Sequence, residues 1–204
     1  MLVVDVETTG TKPYKHSLIG IGAIFLQELY DKFDVKGVFS GECRPWEGAQ
    51  YTDSAMKTIG FDEARLNDPS RKSLEMLMRE FTEFSEKPYN KTIAGHNPTF
   101  DLNFLRLSAY KYNVPFFFPY RTIDLHTLCY TNMLTKGIPA PVNHNKTDIN
   151  SDRVFSYVGL PLEPRPHVGI NGAKWESEAF SRLIYGKNLL EEFKNYEVPV
   201  HMSR

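Results

Sequence analysis

Apolar residues recur along this 204-residue chain at two spacings, and the switches between them divide it into strands and helices. Leu2 to Val6 is an apolar, β-branched run that reads as a buried strand, and Leu18 to Leu26 (LIGIGAIFL) as a central one. Asp34 to Cys43 predicts a third strand, and the short connections among the three predict an antiparallel meander. Residues 44–72, rich in Pro, Gly, Asp and Asn, predict a long connection with one short helix. Leu74, Leu77, Met78, Phe81 and Phe84 recur at three and four, so Ser73 opens a helix that turns this stripe into the core. Thr92 to Ala94 is a short strand that breaks at Gly95-His96-Asn97-Pro98 and feeds a helix from Phe100 to about Tyr112. Arg121 to Asp124 repeats that unit, with its helix running to about Leu134. A polar loop over 136–146 follows, then a helix over Asp152–Val158 capped by Asn150, and a last helix from about Asn171 to Tyr185 ended by Gly186. Meander strands followed by strand–helix units predict an α/β fold: a mixed central sheet, antiparallel meander plus parallel strands, flanked by helices.

A length of 204 residues with 41% apolar and 13% aromatic content supports a single packed core, expected to span residues 1–186, with an amphipathic tail over 187–204. The net charge of −1 provides no basic field for non-specific duplex binding, so any nucleic acid must be held locally. Cys43 and Cys129 have no C-x-x-C spacing, which argues against a disulfide framework and a cysteine zinc site. No apolar run is long enough to span a membrane and the N-terminus is a charged strand, so no membrane partner and a cytoplasmic location are expected.

Asp5 and Glu7 change this bland picture. They interrupt the first strand at its C-terminal end, and alternation puts both carboxylates on one face with Cα atoms roughly 6–7 Å apart. Such a pair repels itself unless a cation lies between, and hard cations such as Mg²⁺ or Mn²⁺ take carboxylate oxygen and bring phosphate with them. The plainer alternative is a strand end hydrated by solvent. Asp101, after the Gly-His-Asn turn, adds a third acid where open α/β sheets collect ligands. His167, in a loop before the last helix, is expected to be exposed and to titrate near neutrality, as a general base requires. His96 is expected to hold its turn, His126 to pack or face solvent, and His16, His144 and His201 to lie on the surface. Asp124 reads as a helix cap, and Lys111, Lys136, Lys146, Arg153, Lys174 and Arg182 as scattered charges that solvate a face or touch phosphates.

Asp5-Val6-Glu7-Thr8-Thr9-Gly10, His96-Asn97-Pro98-Thr99-Phe100-Asp101 and His167 before a closing helix resemble, in that order, the three motifs of the DEDDh 3′–5′ exonuclease family. That family includes the proofreading epsilon subunit of bacterial DNA polymerase III. The resemblance covers residues 1 to about 186 and implies a ribonuclease-H-like fold. It implies two divalent cations, Mg²⁺ or Mn²⁺, held by carboxylates that include Asp5, Glu7 and Asp101, with His167 as catalytic base. By the same resemblance Thr8, Thr9, Asn97 and Phe100 lie beside the terminal nucleotide. The implied substrate is the 3′ end of single-stranded or frayed DNA or RNA, DNA favoured, and a replication or repair polymerase is an implied partner.

One position departs from the pattern. The family's fourth carboxylate falls five residues after the histidine, which here is Gly172. Glu176 lies one helical turn further on the same face, about 6 Å along the axis, and helical side chains lean back toward the N-terminus, so Glu176 is the expected stand-in. On that reading Gly172→Asp rescues Glu176→Gln by restoring the family arrangement. Glu178 points to another face. The rival expectation is an inactive exonuclease-like module that binds nucleic acid ends or a polymerase. A zinc hydrolase is disfavoured because no histidine pair has i, i+4 spacing.

Overall fold

A computed structural model describes residues 1–202, with Glu63 described by its backbone alone. Strand β1 (Leu2–Thr8) occupies the middle of a five-stranded sheet. β2 (Leu18–Glu28) and β3 (Phe33–Glu42) add antiparallel on one side, while β4 (Ile93–Gly95) and β5 (Thr122–Asp124) add parallel on the other, giving the order β3-β2-β1-β4-β5. The predicted mixed sheet is therefore present, with the meander on one flank and the strand–helix units on the other.

Alternation along β1 sorts its side chains between two cores. Leu2, Val4 and Val6 pack beneath α3 (Leu74–Glu86) and α4 (Thr99–Lys111). Val3 faces the opposite layer, built from α5 (Leu125–Thr135), α6 (Ser151–Tyr157) and α7 (Gly169–Tyr185). Asp5 and Glu7 continue the Val3 face, toward α7. That helix crosses β1 and β2 at near-contact. A Cβ on Gly22 would lie 2.0 Å from the Gly169 carbonyl oxygen, and one on Gly169 would lie 2.8 Å from that of Asp5. Only glycine at both positions lets helix backbone touch strand backbone.

Several local expectations are corrected. Residues 44–72 hold two short helices: α1 (Asp53–Ile59), capped by Thr52 and closed by Gly60 in the left-handed region, and α2 (Glu63–Leu66), where Asp62 accepts from the Arg65 N–H. The 136–146 loop contains a small hairpin, β6 (Val142–Asn143) with β7 (Lys146–Thr147), whose two turn residues, His144 and Asn145, both have positive φ as a tight two-residue turn requires. α7 begins at Gly169, two residues earlier than the periodicity indicated. His16 is buried, its Nδ1 accepting from the Lys12 N–H, because the β1–β2 turn folds over it.

The stretch after Gly186 is packed as well. Its two 3₁₀ turns, Glu191–Phe193 and Val200–Met202, place Phe193 and Met202 in the α7-side core. Arg182, read from sequence as a surface charge, is fully buried and pairs with Glu178 at 2.9 Å. Its guanidinium donates to the carbonyls of Val158, Phe193 and Tyr196 among others, and Glu178 accepts from the N–H groups of Leu189 and Leu190. A planar five-donor fork serves several acceptors where an ammonium could not. Arg182→Lys is therefore expected to lower unfolding free energy by about 2 kcal/mol, leaving buried carbonyls unpaired, as read by urea denaturation. An unchanged midpoint would show that the stretch does not depend on this fork.

Candidate active site

The acids converge where β1 runs past its parallel neighbour. β4 pairs with β1 only at Leu2 and Val3, so the Val6 N–H on that edge has no strand partner. Asp101, in the first turn of α4, supplies one: its Oδ1 accepts from Val6 at 3.0 Å. Asn97, in the left-handed region at φ 55°, turns the chain from β4 into α4 and sets this position. Asp5 lies against α7. A Cβ on Gly172 would sit 2.2 Å from Asp5 Oδ2, so the missing side chain at 172 is the space that the Asp5 carboxylate occupies.

Glu176 is on the face of α7 expected for it, buried, with Oε1 accepting from the His96 N–H at 3.0 Å at the end of β4. Its Oε2 is buried without a hydrogen-bond partner, as is Oε1 of Glu7. Glu163, overlooked in the sequence because it belongs to no motif, is a further buried acid beside the site. Its side chain is 6% exposed, one oxygen is unpartnered, and the other lies 3.6 Å from His167 Nδ1. The i, i+4 spacing of Glu163 and His167 was the available signal, obscured by the intervening Pro164 and Pro166, which rule out a helix.

So many buried acids raise one another's pKa. Burial and then the charges of Glu176, Glu7 and Asp101 push Asp5 well above the ordinary carboxylate range. Burial and the Glu42 charge bring Glu7 to about 7. Burial carries Asp101 to about 8 against the lowering effect of its Val6 hydrogen bond, and Glu163 to about 7. Glu176 rises well above its ordinary value through burial and the Asp101 charge. His167 moves the other way, lowered by burial and by Arg165, and is less exposed than expected because its N–H donates to the Thr58 carbonyl and holds it beneath α1.

A cleft of about 300 Å³ opens over this cluster, walled by Asp5, Glu7, Thr8, Phe100, His167 and α1. Thr8 lines it, with its hydroxyl donating to the Gly10 carbonyl. Thr9 does not: it is 1% exposed, and its hydroxyl is engaged with the Gln50 carbonyl and the Ser17 N–H, so its role is to hold the loop beneath the cleft. Asn97 opens onto a neighbouring cleft with His96, Asp124 and His126, and donates its N–H to Asp124, which also caps α5 as expected. His96 ties its turn to the Ile149 carbonyl. Among the described residues no three His, Cys, Asp or Glu side chains stand together as a cation-binding cluster, and Asp101 and Glu176 each turn one oxygen toward a backbone N–H.

A mixed sheet with antiparallel and parallel flanks, and acids gathered at the end of its central strand, define a ribonuclease-H-like nuclease architecture. The sequence comparison is specific: a family model described as "Exonuclease" (RNase_T) matches residues 2–153, and the chain belongs to that family, the DEDD-type 3′–5′ exonucleases of the ribonuclease-H-like superfamily. Ribonuclease T of Marinobacter nauticus is 31% identical over 135 residues, covering 62% of this chain and 61% of that protein. Escherichia coli exonuclease I in complex with a dA16 oligonucleotide superposes with a TM-score of 0.70 at 18% identity, over 91% of this chain and 40% of the other. A 3′-exonuclease solved in recognition of a histone mRNA stem-loop gives 0.66 at 13% identity, over 93% and 64%. At these identities the structural likenesses show the fold. No helix among the described residues is long and apolar enough to cross a membrane.

Proposed function

We propose that this chain is a metal-dependent 3′-to-5′ exonuclease that releases nucleoside monophosphates from single-stranded or frayed ends. The observation that carries the reading is the set of buried, mutually repelling carboxylates, with unpartnered oxygens on Glu7, Glu163 and Glu176, beneath a cleft open to a strand end. An all-oxygen, anionic donor set suits a hard divalent cation, and a buried acid without a partner is costly to maintain for any other purpose. Asp5, Glu7, Asp101 and Glu176 would hold two such ions, Mg²⁺ or Mn²⁺. When bound, these ions supply Lewis-acid stabilisation of the phosphodiester and a more acidic water.

The chain's own groups do the rest. Phe100 and Thr8 wall the space for the terminal nucleotide. His167 takes the proton of the attacking water, and Glu163 lies 3.6 Å from its Nδ1, on the side away from the nitrogen that would do so. The motif resemblance leans toward DNA, and the sequence relative, named a ribonuclease, toward RNA, so both are substrates to test. Association with a polymerase rests on the motif resemblance alone.

Gly172 supports a second reading, a weakened or silent module that binds ends. One assay decides: 5′-labelled single-stranded DNA and RNA with Mg²⁺, Mn²⁺ or EDTA. Shortening from the 3′ end with release of monophosphates, abolished by EDTA, is the expected result. Binding without shortening in either metal would establish the silent module. The pH profile carries a further expectation. Burial and Arg165 lower the His167 pKa, while Glu7 is brought to about 7 and Asp101 to about 8, so the acidic limb of the rate is expected to belong to the carboxylates, whose protons compete with the cation. His167→Ala is expected to lower the rate at every pH yet keep that limb. Loss of the limb in His167→Ala would assign it to the histidine.

A further inference from the structure

Phe100, Leu107 and Lys111 lie on one line along α4, because seven and eleven residues bring a helix back to within roughly 20° of the starting direction. Phe100 walls the acid cleft; Leu107 and Lys111 wall a second cleft, of about 380 Å³, at the far end of the helix. The opposite wall is shared too: the β1–β2 turn supplies Gly10 and Thr11 to the first cleft and Tyr14 to the second. The two clefts therefore lie along the same side of α4 and of that turn, roughly 16 Å apart at 1.5 Å per residue from Phe100 to Lys111, and we term the line between them the furrow. Roughly five nucleotides fit that length when stacked at 3.4 Å each, and fewer when stretched.

The far end differs from the near one in chemistry. Among the described residues no acidic side chain lines it; Tyr14 and Tyr110 are 68% and 62% exposed there, and Leu107 offers an apolar surface between. The Lys111 ammonium lies 4.2 Å from the centre of the Trp46 ring, and among the described residues no carboxylate pairs with it. In a chain of net charge −1, a cation held on a ring face and surrounded by exposed aromatic faces matches a phosphate flanked by bases. The cleft beside His96, by contrast, carries Asp124 and Asp148.

We propose that this aromatic and cationic end of the furrow is a second binding site for the single strand, gripping a phosphate on Lys111 and bases on Tyr14 and Tyr110 three to five nucleotides 5′ of the terminal one. It deepens the exonuclease reading and rests on it, since the polarity assumes that the 3′ end lies over the acids. The site would make the chain select strands with several unpaired nucleotides over dinucleotides.

The test uses the full chain carrying Asp5→Asn, in Mg²⁺, with 5′-labelled oligothymidylates and oligouridylates of two, four, six and eight nucleotides followed by fluorescence anisotropy. Affinity is expected to rise at least tenfold between two and six nucleotides and to level off by eight. Lys111→Ala and Tyr110→Ala are each expected to lose about tenfold at six nucleotides and nothing at two, on a fold whose thermal transition is unchanged. Tryptophan emission is expected to change with the six-mer and not with the dimer, and Trp46→Phe removes that change. Equal affinity for two and six nucleotides, or full six-mer affinity in both variants, would overturn the site. Digestion of the eight-mer by the wild-type chain separates the two claims: digestion without a length-dependent gain overturns the furrow alone, whereas neither binding nor digestion at any length overturns the exonuclease reading as well.

Discussion

Asp5→Asn is expected to lose roughly 10³-fold in exonuclease rate, corresponding to the several kcal/mol of charge stabilisation that a correctly held cation provides. The same substitution is expected to make the metal-free protein harder to unfold above pH 7. The sign follows from the direction of the shifts. Asp5, Glu7 and Asp101 all have folded pKa values above their unfolded ones, with Glu7 near 7 and Asp101 near 8. A raised acid binds its proton more tightly in the folded chain, so its contribution is fully present below the unfolded carboxylate pKa of about 4 and is lost as pH rises through the folded value. Metal-free wild type should therefore lose stability between pH 4 and 8, by an amount on the order of a few kcal/mol. Asparagine at position 5 removes one of the charges that the others repel and flattens that decline. Mn²⁺ should reverse it in wild type by neutralising the same group of acids, raising the melting temperature more at pH 8 than at pH 6, and should do much less for Asp5→Asn. Melting curves across pH, with and without Mn²⁺, measure this. Equal Mn²⁺ stabilisation of the two proteins would remove Asp5 from the metal site.

Restoring the family's aspartate at position 172 is expected to inactivate this chain, by roughly 10²-fold, the cost of a misplacement of about 1 Å in a reacting group. This reverses the expectation from sequence, where Gly172→Asp rescues Glu176→Gln. The structural reason is local: a Cβ at 172 would lie 2.2 Å from Asp5 Oδ2 and 2.6 Å from its Cγ, so any side chain there evicts the Asp5 carboxylate. Gly172→Ala separates sterics from charge. It should lose activity to a similar degree, and Gly172→Asp should additionally destabilise the metal-free protein by adding an acid to a crowded site. Glu176→Gln should lose activity as well, and the double substitution should stay inactive. Wild-type rates in the double mutant would mean that Asp5 moves aside freely and that position 172 is open after all.

These two sites mark where sequence reasoning ends. The strands, the principal helices and the mixed sheet were legible because each rests on a short-range pattern: β-branched runs for β1 and β2, a three-and-four stripe for α3, Asn150 and Gly186 at helix ends. Asp5 and Glu7 were legible as a pair because alternation alone sets their common face. Glu176 could be aimed from helical geometry, and the structure does bury it at the end of β4. Glu163 could not be found this way, since a loop has no period and its approach to His167 depends on how residues 161–168 cross the end of the sheet. The threonines show the same limit. Thr8 and Thr9 are neighbours in one motif, yet one lines the cleft and the other holds the loop beneath it, because the β1–β2 register shifts between Glu7 and Thr8 and breaks the alternation there.

Arg182 and Gly172 are the sharpest cases. Sequence assigned the first to solvent because isolated arginines usually lie there, but the chain after Gly186 folds back and offers it a ring of carbonyls. Gly172 read as a missing carboxylate, and in space it is the room that Asp5 needs. The sequence by itself determined which residues carry charge and on which face of each element they lie, since local periodicity governs both. Tertiary structure alone decided which of those charges meet, because approach of α7 to β1 and β2 through Gly22, Gly169 and Gly172 is a long-range steric fit that no local pattern encodes.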